Sequence, residues 1–284
     1  MTYKNAMAGL KLGGGKAVII GNPKELKSTA LFEAFGRVVN NVGGRYYTAE
    51  DVNITTSDMA IVNKETDFVA GLDGKSGNPA PFTALGTFLG IKAAVKSKLG
   101  RDDLSGLKVA VQGLGSVGYD LCAKLYAAGA SLVVTDINQV TLDKAASEFG
   151  ATVVSLDDIY HQDVDVFSPC ALGASVNDNT IDLFKASIIA GCANNQLAAP
   201  KHDQMLKDKG ILYAPDYVIN AGGIINVALE IYPQPYCEDE ATKLVEKIYQ
   251  TLMNVFEKAA NENKPTGIVA DEMAREIIAR GSHE

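Results

Sequence analysis

The sequence KVAVQGLGSVG, from Lys108 to Gly118, decides the fold of this chain. It begins with the short β-branched run Lys108–Val111, which predicts a buried strand. Glycines at 113, 115 and 118 then end the strand and open a segment that we predict to be a helix reaching Ala128. Strand, glycine-rich turn and helix in this order form the start of a unit that binds the pyrophosphate of a dinucleotide.

Each residue of the glycine turn has a distinct task in such a unit. Gly113 makes the tight turn, Gly115 lets the backbone approach the pyrophosphate, and Gly118 allows close packing of helix on strand. Ser116 and Val117 lie at the predicted helix N-terminus, where free N–H groups and the helix dipole favour an anion. We therefore expect residues 113–118 to bind a dinucleotide. A glycine-rich turn that serves an unrelated ligand is the alternative.

A second β-branched run, Leu132–Thr135, follows the helix and leads directly to Asp136. A carboxylate at this position accepts hydrogen bonds from the adenosine ribose hydroxyls, and it repels the 2′-phosphate of NADP. Asp136 therefore favours NAD as the cofactor. Further short strands are predicted at 164–168, 188–190 and 211–213, each after a helical or loop stretch. Such alternation predicts an α/β fold with a parallel, doubly wound sheet of the Rossmann type.

The remainder of the chain gives coarser signals. Ala17–Ile20 is a short apolar run that ends at a Gly-Asn-Pro turn, which predicts another strand. Apolar residues at helical spacing predict a helix within residues 26–40, and another is predicted from Thr83 to Leu99. The tail from Glu238 to Ala279 is helical by periodicity, with a break at Lys264–Gly267.

The breaker-rich segment Gly74–Pro81 divides the chain. We expect residues 1–82 to form a substrate domain, joined by a C-terminal helix around 265–284. Residues 83–264 would form the nucleotide-binding domain and the helices that follow it. A chain of 284 residues is long enough for two such units.

Composition narrows the classes of function. Acidic residues outnumber basic ones by 34 to 26, and the resulting net charge of −8 disfavours nucleic acid and anionic membranes as partners. The chain has no apolar run long enough to span a membrane. Its four cysteines form no CxxC pair and its three histidines are scattered, so we expect no metal site. We expect a cytoplasmic protein with reduced thiols.

The segment Lys11–Ala17 contains three consecutive glycines followed by Lys16. A phosphate-binding P-loop is a poor match, because Ala17 stands where a Ser or Thr would bind magnesium and Leu10 where the first glycine is required. Taken alone, the segment is equally compatible with an ordinary surface turn.

Seven short motifs occur in a fixed order along nearly the whole chain. They are Met1–Ala6, Gly13–Lys16, Thr48–Val52, Ser76–Pro79, Cys170–Gly173, Ala193–Gln196 and Pro215–Gly223. In this order they resemble the signatures of the Glu/Leu/Phe/Val amino-acid dehydrogenases, and the likeness is greatest to the members that act on leucine. Members of that family carry a further N-terminal segment, so the resemblance implies that the substrate domain is N-terminally incomplete here.

The resemblance implies NAD-dependent oxidative deamination of a branched-chain L-amino acid to its 2-oxo acid and ammonium. Lys4 would bind the substrate carboxylate, and Lys16 would be the general acid–base that activates water. The second role requires a lysine whose pKa is lowered by burial and by a neighbouring cation, for which Lys4 is the candidate. Asp51 would bind the α-amino group and relay protons.

The resemblance also assigns residues around the nicotinamide and the substrate side chain. Thr83 and Asn195 would lie near the carboxamide, Ala171 would line the ring, and Asn220 would contact both substrate and nicotinamide ribose. The substrate side-chain pocket would be formed by three small to medium apolar residues, namely Ala49, Ile224 and Val227. Ordinary core packing is the alternative for Ile224 and Val227.

Two other functions remain open from the sequence. A phenylalanine or valine dehydrogenase of the same family would share these motifs, because one methylene in an apolar pocket changes binding by only about 1–3 kcal/mol. A truncated dinucleotide-binding module without activity would share the glycine turn. The resemblance implies a homo-oligomer for the full-length form, with the amino acid, its 2-oxo acid and ammonium as small-molecule partners.

Overall fold

A parallel six-stranded sheet lies at the centre of the computed structural model, which describes residues 1–232 and 234–281. The strands are β1 Lys108–Gln112, β2 Ser131–Thr135, β3 Thr152–Val153, β4 Val166–Pro169, β5 Ile188–Ile189 and β6 Leu212–Tyr213. Their spatial order is β3-β2-β1-β4-β5-β6. The order reverses between β1 and β4, so a crevice opens at the carboxyl ends of these two strands. The predicted Rossmann-type α/β fold is confirmed.

Helices cover both faces of this sheet and also form the N-terminal part. They are α1 Thr2–Met7, α2 Pro23–Leu26, α3 Thr29–Asn41, α4 Thr56–Val62, α5 Ala80–Leu99, α6 Ser116–Ala127, α7 Gln139–Phe149, α8 Lys201–Asp208, α9 Asp216–Ile219, α10 Gly222–Ile231, α11 Glu238–Glu262 and α12 Thr266–Gly281. A 3-10 turn spans Asp158–His161. In the described part of the chain, no helix is long and apolar enough to cross a membrane.

Strand β1 shows why the sheet is covered on both faces. Val109 and Val111 point into the larger core, with α5, α6 and α11, whereas Ala110 points into a second core with Phe167 and Ile189. All of these residues are buried. A parallel strand that is covered on both sides therefore appears in the sequence as a continuous apolar run rather than an alternating one.

The N-terminal part has a small core of its own. Phe32, Met59, Val62, Val69 and Leu72 form a separate buried cluster beneath α3 and α4. Helix α1 is different, because it packs against α12 and α9 and contributes to the larger core. The division of the chain into domains 1–82 and 83–264 stays a prediction, and residues 282–284 of the predicted C-terminal helix lie outside the described residues.

The strand predicted at Ala17–Ile20 is wrong. These residues form no regular secondary structure and pair with no strand in the described part of the chain, and Val18 and Ile20 are 77% and 91% exposed. An apolar β-branched run forms a strand only when another segment supplies the ladder hydrogen bonds. The helix predicted within 26–40 is confirmed as α3, which begins at Thr29 because the Ser28 hydroxyl accepts from the Leu31 amide and caps it.

The C-terminal helices begin and end where the sequence indicates. Helix α11 ends at Asn263, which adopts the left-handed conformation, and α12 starts at Thr266. The buried Asp203 side chain accepts from the Ile268 amide at 3.1 Å and so caps α12. Burial raises the pKa of Asp203 to about 6. Helix α12 in turn supports α1, where Arg275 donates to the Tyr3 hydroxyl at 2.8 Å.

Candidate active site

The glycine turn after β1 has the geometry of a dinucleotide site. Gly113 has a φ of +100°, and a Cβ there would lie 2.8 Å from the Ala171 amide nitrogen. A Cβ on Gly118 would lie 2.1 Å from the Gly113 carbonyl oxygen, so helix and strand are in close contact. A Cβ on Gly115 would meet nothing within 4 Å. The space in front of Gly115, at the start of α6, is therefore open to a ligand.

Asp136 is held beside this turn. Its two carboxylate oxygens accept from the Leu114 amide at 2.5 Å and from the Asn138 amide at 2.8 Å. The side chain remains half-exposed at the carboxyl end of β2. A fixed carboxylate with free lone pairs at this position is suited to bind ribose hydroxyls.

Two loops form the opposite wall, after β4 and β5. The Ala174 amide donates to the Asn195 carbonyl at 2.7 Å, and a Cβ on Gly173 would lie 2.7 Å from the Asn194 carbonyl oxygen. Ala171 and Asn195 are exposed on these loops, and Asn195 has a φ of +52°. Both residues therefore lie at the edge of the sheet where the cofactor is expected, since ligands bind at the carboxyl ends of parallel strands.

Asn220 offers a polar atom with no partner inside the protein. Its side-chain nitrogen donates to the Cys192 carbonyl at 3.0 Å and to the Asn194 side chain at 2.7 Å. Its Oδ1 atom is buried and accepts no hydrogen bond from the described residues. An unpaired buried acceptor costs about 1–3 kcal/mol, so a bound donor at this position stabilises the protein. The site therefore fits a dinucleotide with a donating hydroxyl or amide.

Lys4, Lys16 and Asp51 come together on the N-terminal side. A Cβ on Gly14 would lie 2.3 Å from the Thr2 amide nitrogen, so the glycine segment packs directly on the start of α1. This contact brings Lys16 towards Lys4. The Lys16 ammonium forms an ion pair with the Asp51 carboxylate, and both side chains remain accessible at 51% and 43% exposure.

The electrostatic environment lowers the pKa of both lysines. Burial is the largest cause of the fall in the pKa of Lys4 to about 8, and the charge of Lys16 adds to it. The carboxylate of Asp216 opposes this fall. Burial also lowers the pKa of Lys16. Two neighbouring lysines with lowered pKa values are typical of a catalytic site.

The remaining predicted residues lie on α5, α10 and the segment near Asp51. A Cβ on Gly223 would lie 2.6 Å from the Thr83 hydroxyl oxygen, so α10 begins directly against Thr83. Ile224 is half-buried, whereas Val227 is buried in α10. Ala49 is half-buried and follows Thr48, which forms an isolated parallel bridge with Val69.

The buried carboxylate of Glu230, which no sequence motif indicated, connects α10 to residues 71–76. Glu230 of α10 accepts from the Gly71 amide at 2.8 Å and from the Ser76 hydroxyl at 2.5 Å. Asn226, one turn earlier, donates to the Ser76 carbonyl at 2.9 Å and accepts from the Tyr236 hydroxyl at 2.7 Å. The contacts between α10 and residues 71–76 are named the α10 clamp below.

Asp216 is a second residue that the sequence analysis did not select. It lies inside the Pro215–Gly223 motif that carries part of the family resemblance, so the motif offered the signal. No property of the linear sequence shows that it faces Lys4, which is distant along the chain. In the described residues, no group of three or more His, Cys, Asp and Glu side chains could hold a metal ion.

Comparisons with known proteins agree with this geometry. Residues 1–68 match the model for the Glu/Leu/Phe/Val dehydrogenase dimerisation domain, and residues 132–279 match that for glutamate/leucine/phenylalanine/valine dehydrogenase. The chain is 52% identical to leucine dehydrogenase of Bacillus subtilis over 99% of its length and 77% of that protein. It is 46% identical to phenylalanine dehydrogenase of Lysinibacillus sphaericus over 92% of its length and 70% of that protein.

A solved structure extends the likeness to three dimensions. The crystal structure of L-tryptophan dehydrogenase from Nostoc punctiforme matches 100% of this chain and 82% of its own chain, with a TM-score of 0.85 and 48% identity. The agreement of motifs, sheet order and overall structure therefore has one interpretation. The chain belongs to the Glu/Leu/Phe/Val dehydrogenase family and is an amino-acid dehydrogenase.

Proposed function

We propose that this protein catalyses the NAD-dependent oxidative deamination of a branched-chain L-amino acid. For leucine, the reaction converts the amino acid, water and NAD⁺ into 4-methyl-2-oxopentanoate, ammonium, NADH and a proton. The observation that carries the proposal is the group of Lys4, Lys16 and Asp51, in which burial lowers the pKa of both lysines. An inactive descendant of the family would have no reason to keep this costly arrangement.

Each of the three residues has a separate task in the proposed mechanism. The protonated Lys4 ammonium binds the substrate carboxylate and fixes the α-carbon. Nicotinamide, when bound, accepts the hydride from that carbon. Lys16 in its neutral form takes a proton from water, which attacks the resulting iminium carbon. Asp51 then moves a proton to the nitrogen of the carbinolamine, so that ammonia leaves.

The lowered pKa of Lys16 matters for this sequence of steps. A general base must be partly deprotonated at the working pH, and burial shifts Lys16 in that direction. Its ion pair with Asp51 places a proton acceptor next to it. Lys16 and Asp51 can therefore exchange a proton directly as water is activated and ammonia is released.

The cofactor is NAD in our proposal because Asp136 would face the adenosine ribose. A carboxylate fixed by the Leu114 and Asn138 amides cannot turn away from a 2′-phosphate, and the two negative charges repel each other. Replacing Asp136 by Ser removes that repulsion and should lower the preference for NAD over NADP. The measurement is the ratio of the dissociation constants for NADH and NADPH, and an unchanged ratio would contradict this role.

The substrate side chain would lie against Ala49, Ile224 and Val227. An apolar lining with no cation for a second carboxylate favours leucine, isoleucine and valine over glutamate. Support also comes from the 52% identity to a leucine dehydrogenase. The tryptophan and phenylalanine dehydrogenases at 48% and 46% identity favour a larger aromatic substrate as the second candidate.

One experiment separates these substrates. NADH formation is followed with leucine, isoleucine, valine, phenylalanine and tryptophan, and kcat/KM is compared across the series. The same assay is run with this chain preceded by the N-terminal segment of the Bacillus subtilis leucine dehydrogenase. We expect the branched aliphatic amino acids to give the highest kcat/KM. A preference for phenylalanine or tryptophan would favour the aromatic alternative, and no turnover in either form would contradict the proposed activity.

We also propose a homo-oligomer with a cleft between the substrate and nucleotide domains. The match of residues 1–68 to a dimerisation domain supports the first point. The separate core of residues 32–72 supports the second. Light scattering of the protein with and without NADH would give the oligomeric state.

A further inference from the structure

Asp216 is held rigidly at the first position of α9. Its Oδ2 atom accepts from the Gln196 amide at 3.0 Å, and its Oδ1 atom accepts from the Tyr217 amide at 2.6 Å. Its own amide donates to the hydroxyl of the buried Tyr213 at 3.2 Å. Two amide donors thus fix the position of the Asp216 carboxylate, and a third hydrogen bond holds its backbone.

Helix α1 places Lys4 opposite this carboxylate. The preceding residue, Tyr3, packs against Tyr217 with ring centroids 6.3 Å apart, so Lys4 and Asp216 lie on facing segments. The charge of Asp216 acts on the Lys4 ammonium and raises its pKa, against the larger effect of burial. In the described residues Lys4 has no ion-pair partner, which leaves its N–H donors available.

Two other groups act on the charge of Lys4, with opposite effects. The Lys16 ammonium is a cation that disfavours a second positive charge and lowers the pKa of Lys4. Cys192, on the loop after β5, raises the pKa of Lys4, but less than Asp216 does. On α12, the two charged residues nearest to α1 and α9 bind tyrosines, since Arg275 donates to Tyr3 and Asp271 accepts from Tyr217.

We propose that Asp216 is a positioning residue that keeps Lys4 protonated, so that Lys4 can bind the carboxylate of the substrate. This inference rests on the function proposed above for Lys4. Burial and the neighbouring Lys16 ammonium push Lys4 towards its neutral form, which could not neutralise a carboxylate. Asp216 provides the largest compensating negative charge without forming an ion pair that would occupy the N–H donors of Lys4. In the proposed site, Lys4 binds the substrate carboxylate, whereas Asp216 keeps Lys4 positively charged.

The direct test measures the charge state of Lys4 without any turnover. Trace acetylation with acetic anhydride modifies only neutral amines, and peptide mass spectrometry gives the reactivity of Lys4 from about pH 6 to about pH 10. In Asp216→Asn we expect the midpoint to fall by about one pH unit, because an opposite charge has been removed. Tyr213→Phe is the matched control, since it removes one hydrogen bond to Asp216 but keeps the carboxylate. An unchanged midpoint in Asp216→Asn would overturn the inference.

The second readout is substrate binding as a function of pH. In Asp216→Asn, KM for the amino acid should rise by up to about tenfold above pH 8 and change little near pH 6, where Lys4 is charged in both proteins. A purely structural role would raise KM equally at every pH, and that result would contradict the inference. A shifted Lys4 midpoint with an unchanged KM profile would uphold the Asp216–Lys4 coupling. It would refute the proposed role of Lys4 in binding the substrate.

Discussion

At the scale of single residues, replacing Lys4 and replacing Lys16 should have different effects on kcat and KM. Lys16→Ala removes the group that transfers protons, so kcat should fall by about two to four orders of magnitude while NADH binding is unchanged. Lys4→Ala removes the counter-charge of the carboxylate and should act chiefly on KM. Steady-state kinetics and fluorescence titration with NADH measure both effects. Near-normal kcat in Lys16→Ala would refute the mechanism.

Asp203 gives a prediction about stability and pH. Burial raises its folded pKa to about 6 from 3.8, so the folded protein gains a proton relative to the unfolded chain between these values. As pH rises through that window, ionisation of Asp203 lowers the free energy of unfolding. Above the window, this loss of stability stays constant. Asp203→Asn keeps an acceptor for the Ile268 amide and removes the buried charge.

Urea unfolding of the wild type and of Asp203→Asn tests this prediction. At pH 8 the variant should be more stable by about 1–3 kcal/mol, because two pKa units correspond to roughly that free energy. Near pH 4, where the aspartate is protonated in the folded protein, the two should have similar stability. A variant that is less stable at pH 8 would show that the capping hydrogen bond outweighs the burial of the charge.

Local features of single residues could be predicted from the sequence. The tight turn at Gly113 and the close packing at Gly118 depend on residues within one strand–helix–strand unit, and the structure shows both. The ribose contact of Asp136 stays a prediction. Asp216 and Glu230 could not be predicted, since each acts on a segment far away along the chain. Their importance arises from the contacts of α9 with α1 and of α10 with residues 71–76, which no local pattern contains.

At the scale of elements, the contact between β1 and α6 can be tested with two glycines that differ in surroundings. Gly118→Ala would place a methyl group against the Gly113 carbonyl, which is backbone and cannot move aside. We expect a loss of about 1–3 kcal/mol of stability, together with weaker NADH binding. Gly115→Ala is the matched variant, because the same methyl group meets only open space there.

The two glycine variants should therefore separate stability from binding. In Gly115→Ala the free energy of unfolding should be close to that of the wild type, while NADH binds more weakly because the methyl group occupies the approach to the pyrophosphate. Thermal unfolding and fluorescence titration give the two quantities. Equal stability of Gly118→Ala and the wild type would mean that α6 can shift away from the sheet.

Elements were predictable from the sequence where burial agrees with local propensity. Strands β1, β4 and β5 are covered on both faces, so their apolar runs were sufficient evidence. Strand β3, Thr152–Val153, is exposed, and no apolar run indicated it. Ala17–Ile20 has a similar composition but no partner strand among the described residues, and it is irregular and exposed. A strand is a property of two segments, and one sequence window describes only one of them.

At the scale of the whole molecule, the α10 clamp has a mechanical consequence. It joins α10 to the end of the segment that carries Ala49 and Asp51. If residues 1–82 and 83–264 form two domains, as predicted, the clamp would be a pivot for their relative movement. Glu230→Gln weakens the charged hydrogen bonds, each of which contributes about 1.5–3 kcal/mol. The amides of Gly71 and Ser76 should then exchange with deuterium at least about tenfold faster.

Tyr236→Phe is the control, because it removes a hydrogen bond to Asn226 on the far side of the clamp and leaves the Glu230 contacts intact. Exchange at Gly71 and Ser76 that is unaffected by Glu230→Gln would show that the pivot lies elsewhere. If the two predicted domains close on the substrate, a looser clamp should lower the population of the closed form. Glu230 would then influence the rates of opening and closing without contacting the substrate.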